Sequence, residues 1–100
     1  MQDCVFCKIV SGEIGSQKRY EDGEVLAFDD IHPVEPVHVI LIPKKHMRDL
    51  SEANETIAGQ LQMVMAKLAG ELKILDGYKI ELNAGRYQEV PHLHYHLKGG

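Results

Sequence analysis

The chain has no tryptophan, only two cysteines, no excess of basic residues and no long apolar run. Without a run near the roughly 18 apolar residues that a bilayer-spanning helix needs, no membrane segment is expected. The N-terminus also lacks the basic-then-apolar order of a secretory signal, so a cytoplasmic location is expected. There, Cys4 and Cys7 should be reduced thiols rather than a structural disulfide. Lysine and arginine number 11 against 15 acidic residues, for a net charge of −4. That removes the electrostatic footprint of a binder of long nucleic acid, while a small anionic ligand needs only local donors. No repeat, linker or low-complexity stretch interrupts the 100 residues, and 44% hydrophobic with 26% charged content is ordinary for a globular chain. One domain over residues 1–100 is expected.

Phe6, Ile9, Val10 and Ile14 recur at helical intervals, predicting a short N-terminal helix before Gly15-Ser16. Residues 18–21 and 24–29 flank Asp22-Gly23, a dipeptide suited to a tight hairpin turn. After the proline-punctuated loop at 32–36, the β-branched run 37–43 reads as a central strand ending at Pro43. Ser51 or Asn54 can cap a long helix, in which Ile57, Leu61, Val64, Leu68, Leu72 and Leu75 form one apolar stripe closed by Asp76-Gly77. Met63 and Met65 fall beside that stripe, and the broadened surface suggests packing on a partner subunit. Strands are expected at 78–83 and 91–97. The order β-β-β, long helix, β-β indicates an α+β fold with helices on an antiparallel sheet.

The chemistry concentrates in His92-Leu93-His94-Tyr95-His96. In an extended chain alternate side chains face opposite ways, so the imidazoles share one face and Leu93, Tyr95 and Leu97 the other. Neighbouring histidines would stand about 6.6 Å apart and the outer two about 13 Å, too far to share one ion. The row suits separate jobs: a nucleophile flanked by groups that orient it and bind an anion. Imidazole fits them because both of its protonation states are accessible near neutrality.

This row resembles the active-site motif of the histidine triad (HIT) family, His-φ-His-φ-His-φ-φ with φ apolar. Further similarity lies in Cys4-Val5-Phe6-Cys7-Lys8-Ile9, Phe28-Asp29-Asp30-Ile31, His38-Val39-Ile40-Leu41-Ile42-Pro43-Lys44-Lys45-His46, Asn83-Ala84-Gly85 and Gln88. Their order resembles the Hint branch over essentially the whole chain. Two departures stand out. Lys98 occupies the final apolar position of the motif. The loop from Gly85 to His92 is about two residues shorter than is usual in that branch, by comparison with the lengths such loops take, and carries Arg86 and Tyr87 where a glycine-rich turn is expected.

The resemblance implies a five-stranded antiparallel sheet with a short N-terminal helix and one long helix, paired in a two-fold homodimer. It implies hydrolysis or nucleotidyl transfer on purine nucleoside phosphoramidates of AMP or GMP type, with dinucleoside polyphosphate hydrolysis or nucleotide binding with little turnover as alternatives. By the same resemblance His94 is the nucleophile, forming a covalent nucleotidyl-histidine. His96 contacts the phosphate, and His38 orients a neighbouring ring. On its own His38 reads as a core histidine. Asp30 would hold the ribose, with Asp29 its competitor, and Phe28 and Ile31 would line the purine slot. Asn83, Gly85 and Gln88 would serve the phosphate, and Glu89 stands where relatives often carry a hydroxyl.

Cys4-x-x-Cys7 alone is compatible with a redox pair, half a metal site or two small buried hydrophobes. Relatives that keep the pair use it with two histidines for a structural zinc, which here would be His46 and His92; no organic cofactor is implied. Lys44, Lys45 and Arg48 form a basic cluster that reads as a solvated face.

Overall fold

The computed structural model describes residues 3–100. Helix α1 (Val5–Ser11) starts at Cys4, whose sulfur accepts the Cys7 N–H, and stops at Gly12, which takes a left-handed φ of 84°. Strands β1 (Lys18–Glu21) and β2 (Val25–Asp29) form the expected hairpin. Asp22 Oδ1 closes its turn by accepting the N–H groups of Glu24 and Val25. Strand β3 (Val37–Pro43), helix α2 (Glu55–Glu71) and strands β4 (Tyr78–Leu82) and β5 (Tyr95–Gly99) complete one sheet in the order β1-β2-β3-β5-β4. Every neighbouring pair is antiparallel.

Alternation along the strands divides the core into two layers. Val25, Ala27, Val39, Leu41, Leu93, Tyr95 and Leu97 pack with Ile57, Leu61, Met65 and Leu68 of α2. On the other face Leu26, Phe28, Ile40 and Ile42 pack with Cys4, Phe6 and Ile9. Because α1 is short, it covers only part of that second face, and the histidines lie there.

Asn54 is the cap of α2, its Oδ1 accepting the Ile57 N–H at 3.0 Å. The other end of α2 corrects the sequence reading: the helix stops at Glu71, five residues before Asp76. Ile74 N–H donates to Ala69 O and Lys73 N–H to Gly70 O, with Lys73 at φ 62°. This is a Schellman closure with lysine in the left-handed position where glycine usually signals it. Leu75 is therefore outside the helix and exposed, and Ile74 fills the core in its place. It packs so closely over Gly99 that a Cβ there would lie 2.9 Å from Ile74 Cδ1.

Two other expectations change. Met65 belongs to the stripe, fully buried in the α2 layer, while Met63 is 69% exposed. The last strand begins at Tyr95 rather than Pro91. Its ladder with β3 ends at the Leu41–Tyr95 pair, since Pro43 has no N–H to continue it. Leu93 N–H turns instead to Met47 O at 2.6 Å. His92 and His94 thus precede the strand, though Leu93 still points into the α2 layer.

Met65 is fully enclosed, so Met65→Ala should lower unfolding free energy by about 2–5 kcal/mol in urea denaturation. A loss below about 1 kcal/mol would place Met65 outside the core.

Candidate active site

His38 and His96 sit on adjacent strands, with His38 Nε2 and His96 Nδ1 2.8 Å apart. The proton on that bond can be assigned from the far side of His38. Its Nδ1 lies 3.2 Å from Val34 N, a donor, and must accept. In a neutral ring the hydrogen is then on Nε2, which donates to His96 Nδ1. His96 in turn carries its own hydrogen on Nε2. The backbone fixes the start of this chain, because Asp30 N–H donates to His38 O at 2.9 Å and ties the end of β2 to β3.

His94 is set the opposite way. Its Nδ1 is 2.7 Å from His92 O, which can only accept, so Nδ1 holds the hydrogen and Nε2 keeps its lone pair. The His94 and His96 ring centres are 5.0 Å apart at 71°. Phe6 of α1 meets the His94 ring edge-on at 5.0 Å and also touches Phe28 and His92. A lone pair on one ring thus stands beside an N–H donor on the next. Phe6 entered the sequence reading only as one apolar residue of the N-terminal helix, and its place against His94 depends on the long-range packing of α1.

The two aspartates have different partners. Asp29 is held by Arg19 through paired contacts of 2.8 Å, a bidentate arrangement that occupies both carboxylate oxygens. Asp30 Oδ1 accepts the His32 N–H at 2.8 Å, and Oδ2 lies 3.3 Å from His38 Nε2. Phe28 is buried beneath this corner, whereas Ile31 is 84% exposed. In the loop before His92, Gly85 takes φ 62° and opens a 3₁₀ turn (Gly85–Tyr87). Asn83 is partly buried just before it. The Gln88 amide donates to Arg48 O at 2.7 Å, and Glu89 lines a cleft of about 630 Å³ with Cys4, His46 and Arg48. Two members of the basic cluster are engaged in ion pairs, Lys44 with Glu21 and Arg48 with Asp49 and Glu52.

Cys4, Cys7, His46 and His92 converge, with their ligand atoms all within 4.8 Å of one another. His92 Nδ1 is 3.3 Å from Cys4 Sγ and 3.6 Å from Cys7 Sγ, and His46 Nδ1 is 3.3 Å from Cys7 Sγ. A tetrahedral zinc with ordinary bond lengths separates sulfur from nitrogen by roughly 3.5 Å, so the donor set fits the metal. His92 Nε2 is 2.9 Å from Pro43 O, which puts its hydrogen there and directs the Nδ1 lone pair at the thiols. One residue therefore serves both places: the His92 ring belongs to the cysteine cluster, and its carbonyl sets His94.

The family profile described as HIT domain matches residues 11–100. Protein HitA of Neisseria gonorrhoeae is 40% identical over 104 aligned positions, covering 99% of this chain and 97% of that protein. A HIT family hydrolase from Clostridium thermocellum superposes with a TM-score of 0.94 at 43% identity, covering 100% of this chain and 92% of that one. A histidine triad nucleotide-binding protein from Candida albicans gives 0.89 at 38% identity, covering 95% and 73%.

Burial is the first cause that pushes the His38 and His96 rings below the ordinary imidazole range. An unfolded chain then binds more protons than the folded one between the depressed values and about pH 6.5, so stability rises with pH in that window. It is lost as pH falls through the unfolded value toward the folded ones. Thermal unfolding should show a midpoint that drops steadily from pH 7.5 to 5.5, with a smaller drop in His96→Asn. A midpoint independent of pH over that range would contradict the buried neutral pair.

Proposed function

The chain belongs to the histidine triad (HIT) family, and on that premise we propose that it is a Hint-like hydrolase of purine nucleoside 5′-phosphoramidates working through a nucleotidyl-histidine. One observation carries the reading: the His94 and His96 rings lie 5.0 Å apart, and their hydrogen-bond partners assign a lone pair to His94 Nε2 and a hydrogen to His96 Nε2. The nucleotide binding named for the Candida protein and the hydrolase named for the Clostridium protein support it.

His94 Nε2 attacks phosphorus, forming an N–P bond as the P–N bond to the leaving amine breaks and the amine takes a proton from solvent. Water then attacks phosphorus and gives up a proton to solvent, the His94–P bond breaks, and the nucleoside monophosphate leaves. Splitting the displacement replaces one difficult step with two easier ones. The His96 Nε2–H donates to phosphoryl oxygen in both steps, and His38 keeps that donor oriented. Asp30 takes the ribose hydroxyls, and Phe28 with Ile31 forms the purine wall. Asn83, Gly85, Gln88 and Glu89 border the phosphate from the connection between β4 and β5. For Gln88 this requires its amide to leave Arg48 O when ligand binds.

Cys4, Cys7, His46 and His92 hold a structural zinc in this reading. The metal would cross-link α1 to the segment before β5. Exposed Met63, Tyr78 and Ile80 leave apolar surface on α2 and on edge strand β4, which supports a two-fold homodimer.

His94→Ala should abolish hydrolysis of an aminoacyl adenosine phosphoramidate yet keep AMP binding within about tenfold, or about 1.4 kcal/mol. Rapid-quench mass spectrometry should find the nucleotidyl adduct on His94 in the wild type alone. Activity within tenfold of wild type in the variant would remove the nucleophile assignment, and faster turnover of a diadenosine polyphosphate would redirect the substrate class. Metal analysis should find close to one zinc per chain, with chelation lowering the thermal midpoint. A content near zero with reduced thiols would leave the cysteines as packing residues.

A further inference from the structure

Lys98 departs from the apolar end of the HIT motif and lies on the same sheet face as the histidines. Directly across β3 it faces His38, and across β4 it faces Lys79. Its neighbour on that face, His96, is directly opposite Glu81. Two diagonal contacts join these pairs: His38 to His96 at 2.8 Å and Lys98 Nζ to Glu81 Oε1 at 2.6 Å. The Lys98 side chain is only 17% exposed, so its ammonium is held at the rim of the site.

We propose that the Glu81–Lys98 ion pair is a positioning device that keeps the His38–His96 pair in its neutral, singly donating form. This rests on the relay role given to those rings above. A proton added to His38 Nδ1 would face the Val34 N–H and remove the hydrogen bond that orients the ring donating to His96. A cation across from His38 opposes that protonation, and a carboxylate across from His96 limits the effect while anchoring the cation.

The other charges around the rings do not reproduce this pairing. Asp30 and Glu35 face His38 and favour its protonation, while His94 faces His96 and disfavours it; α1 contributes the uncharged Phe6 beside His94. Burial pushes both rings down, with Lys98 adding to that push and Glu81 opposing it. An ion pair that merely fastened edge strand β4 would leave the rings indifferent to which partner was removed.

Histidine ¹H–¹³C spectra recorded against pH separate these roles. In Lys98→Met the apparent pKa of the His38–His96 pair should rise by about half a pH unit, and in Glu81→Gln it should fall by a similar amount. Lys98→Arg should restore the wild-type titration, and the acidic limb of kcat/KM should move with each variant. Shifts of the same sign, or none beyond about 0.1, would overturn the proposal. Should Lys98→Met fail to fold, Glu81→Gln decides alone: a fall supports the pairing and any other result refutes it. Opposite shifts in a protein that leaves phosphoramidates untouched would sink the substrate reading and keep the positioning role. Ready turnover with unmoved titrations would do the reverse.

Discussion

The hydrogen bond from His38 to His96 joins the two central strands on the face that α1 only partly covers. Its direction is dictated from outside the pair, by a backbone N–H at Val34 that leaves His38 a single way to place its hydrogen. A neutral imidazole is both donor and acceptor, so fixing one nitrogen fixes the other. The consequence travels across the sheet and emerges as a donor on His96. Burial of both rings reinforces it by disfavouring the doubly protonated form.

His94 obtains the opposite polarity from a different source, the His92 carbonyl. That carbonyl is well placed because the His92 ring is anchored twice, at Pro43 O and among the cysteine sulfurs. The same Pro43 that ends the β3–β5 ladder thus supplies the acceptor that steadies the residue before the nucleophile candidate. Phe6 of α1 then meets the His94 ring edge-on. Interruption of regular strand pairing and construction of the site are one structural event, which is why the triad is not a simple row on a strand.

Much of this was readable beforehand. Strand β3 runs from Val37 to Pro43 as its β-branched pattern required, and the hairpin around Asp22 follows from turn chemistry. The convergence of Cys4, Cys7, His46 and His92 was visible only through family likeness, since 88 positions separate Cys4 from His92. The end of α2 was hidden because lysine, not glycine, adopts the left-handed conformation at its closure. Periodicity carried the stripe on to Leu75, although the chain had already turned and put Ile74 inward. Asp29 and Asp30 could not be separated by sequence, for the distinction lies in Arg19, ten residues upstream and across the hairpin. Lys98 looked like a defect in the motif until its partner on β4 was seen.

The central claim is that neighbouring rings present opposite tautomers, a lone pair on His94 Nε2 and a hydrogen on His96 Nε2. Nitrogen-15 spectroscopy of the histidine rings at neutral pH reads this directly, because protonated and unprotonated ring nitrogens have well-separated shifts. The account predicts an unprotonated Nε2 for His94, with protonated Nε2 for His96 and His38. A hydrogen on His94 Nε2, or matching tautomers in His94 and His96, would contradict it.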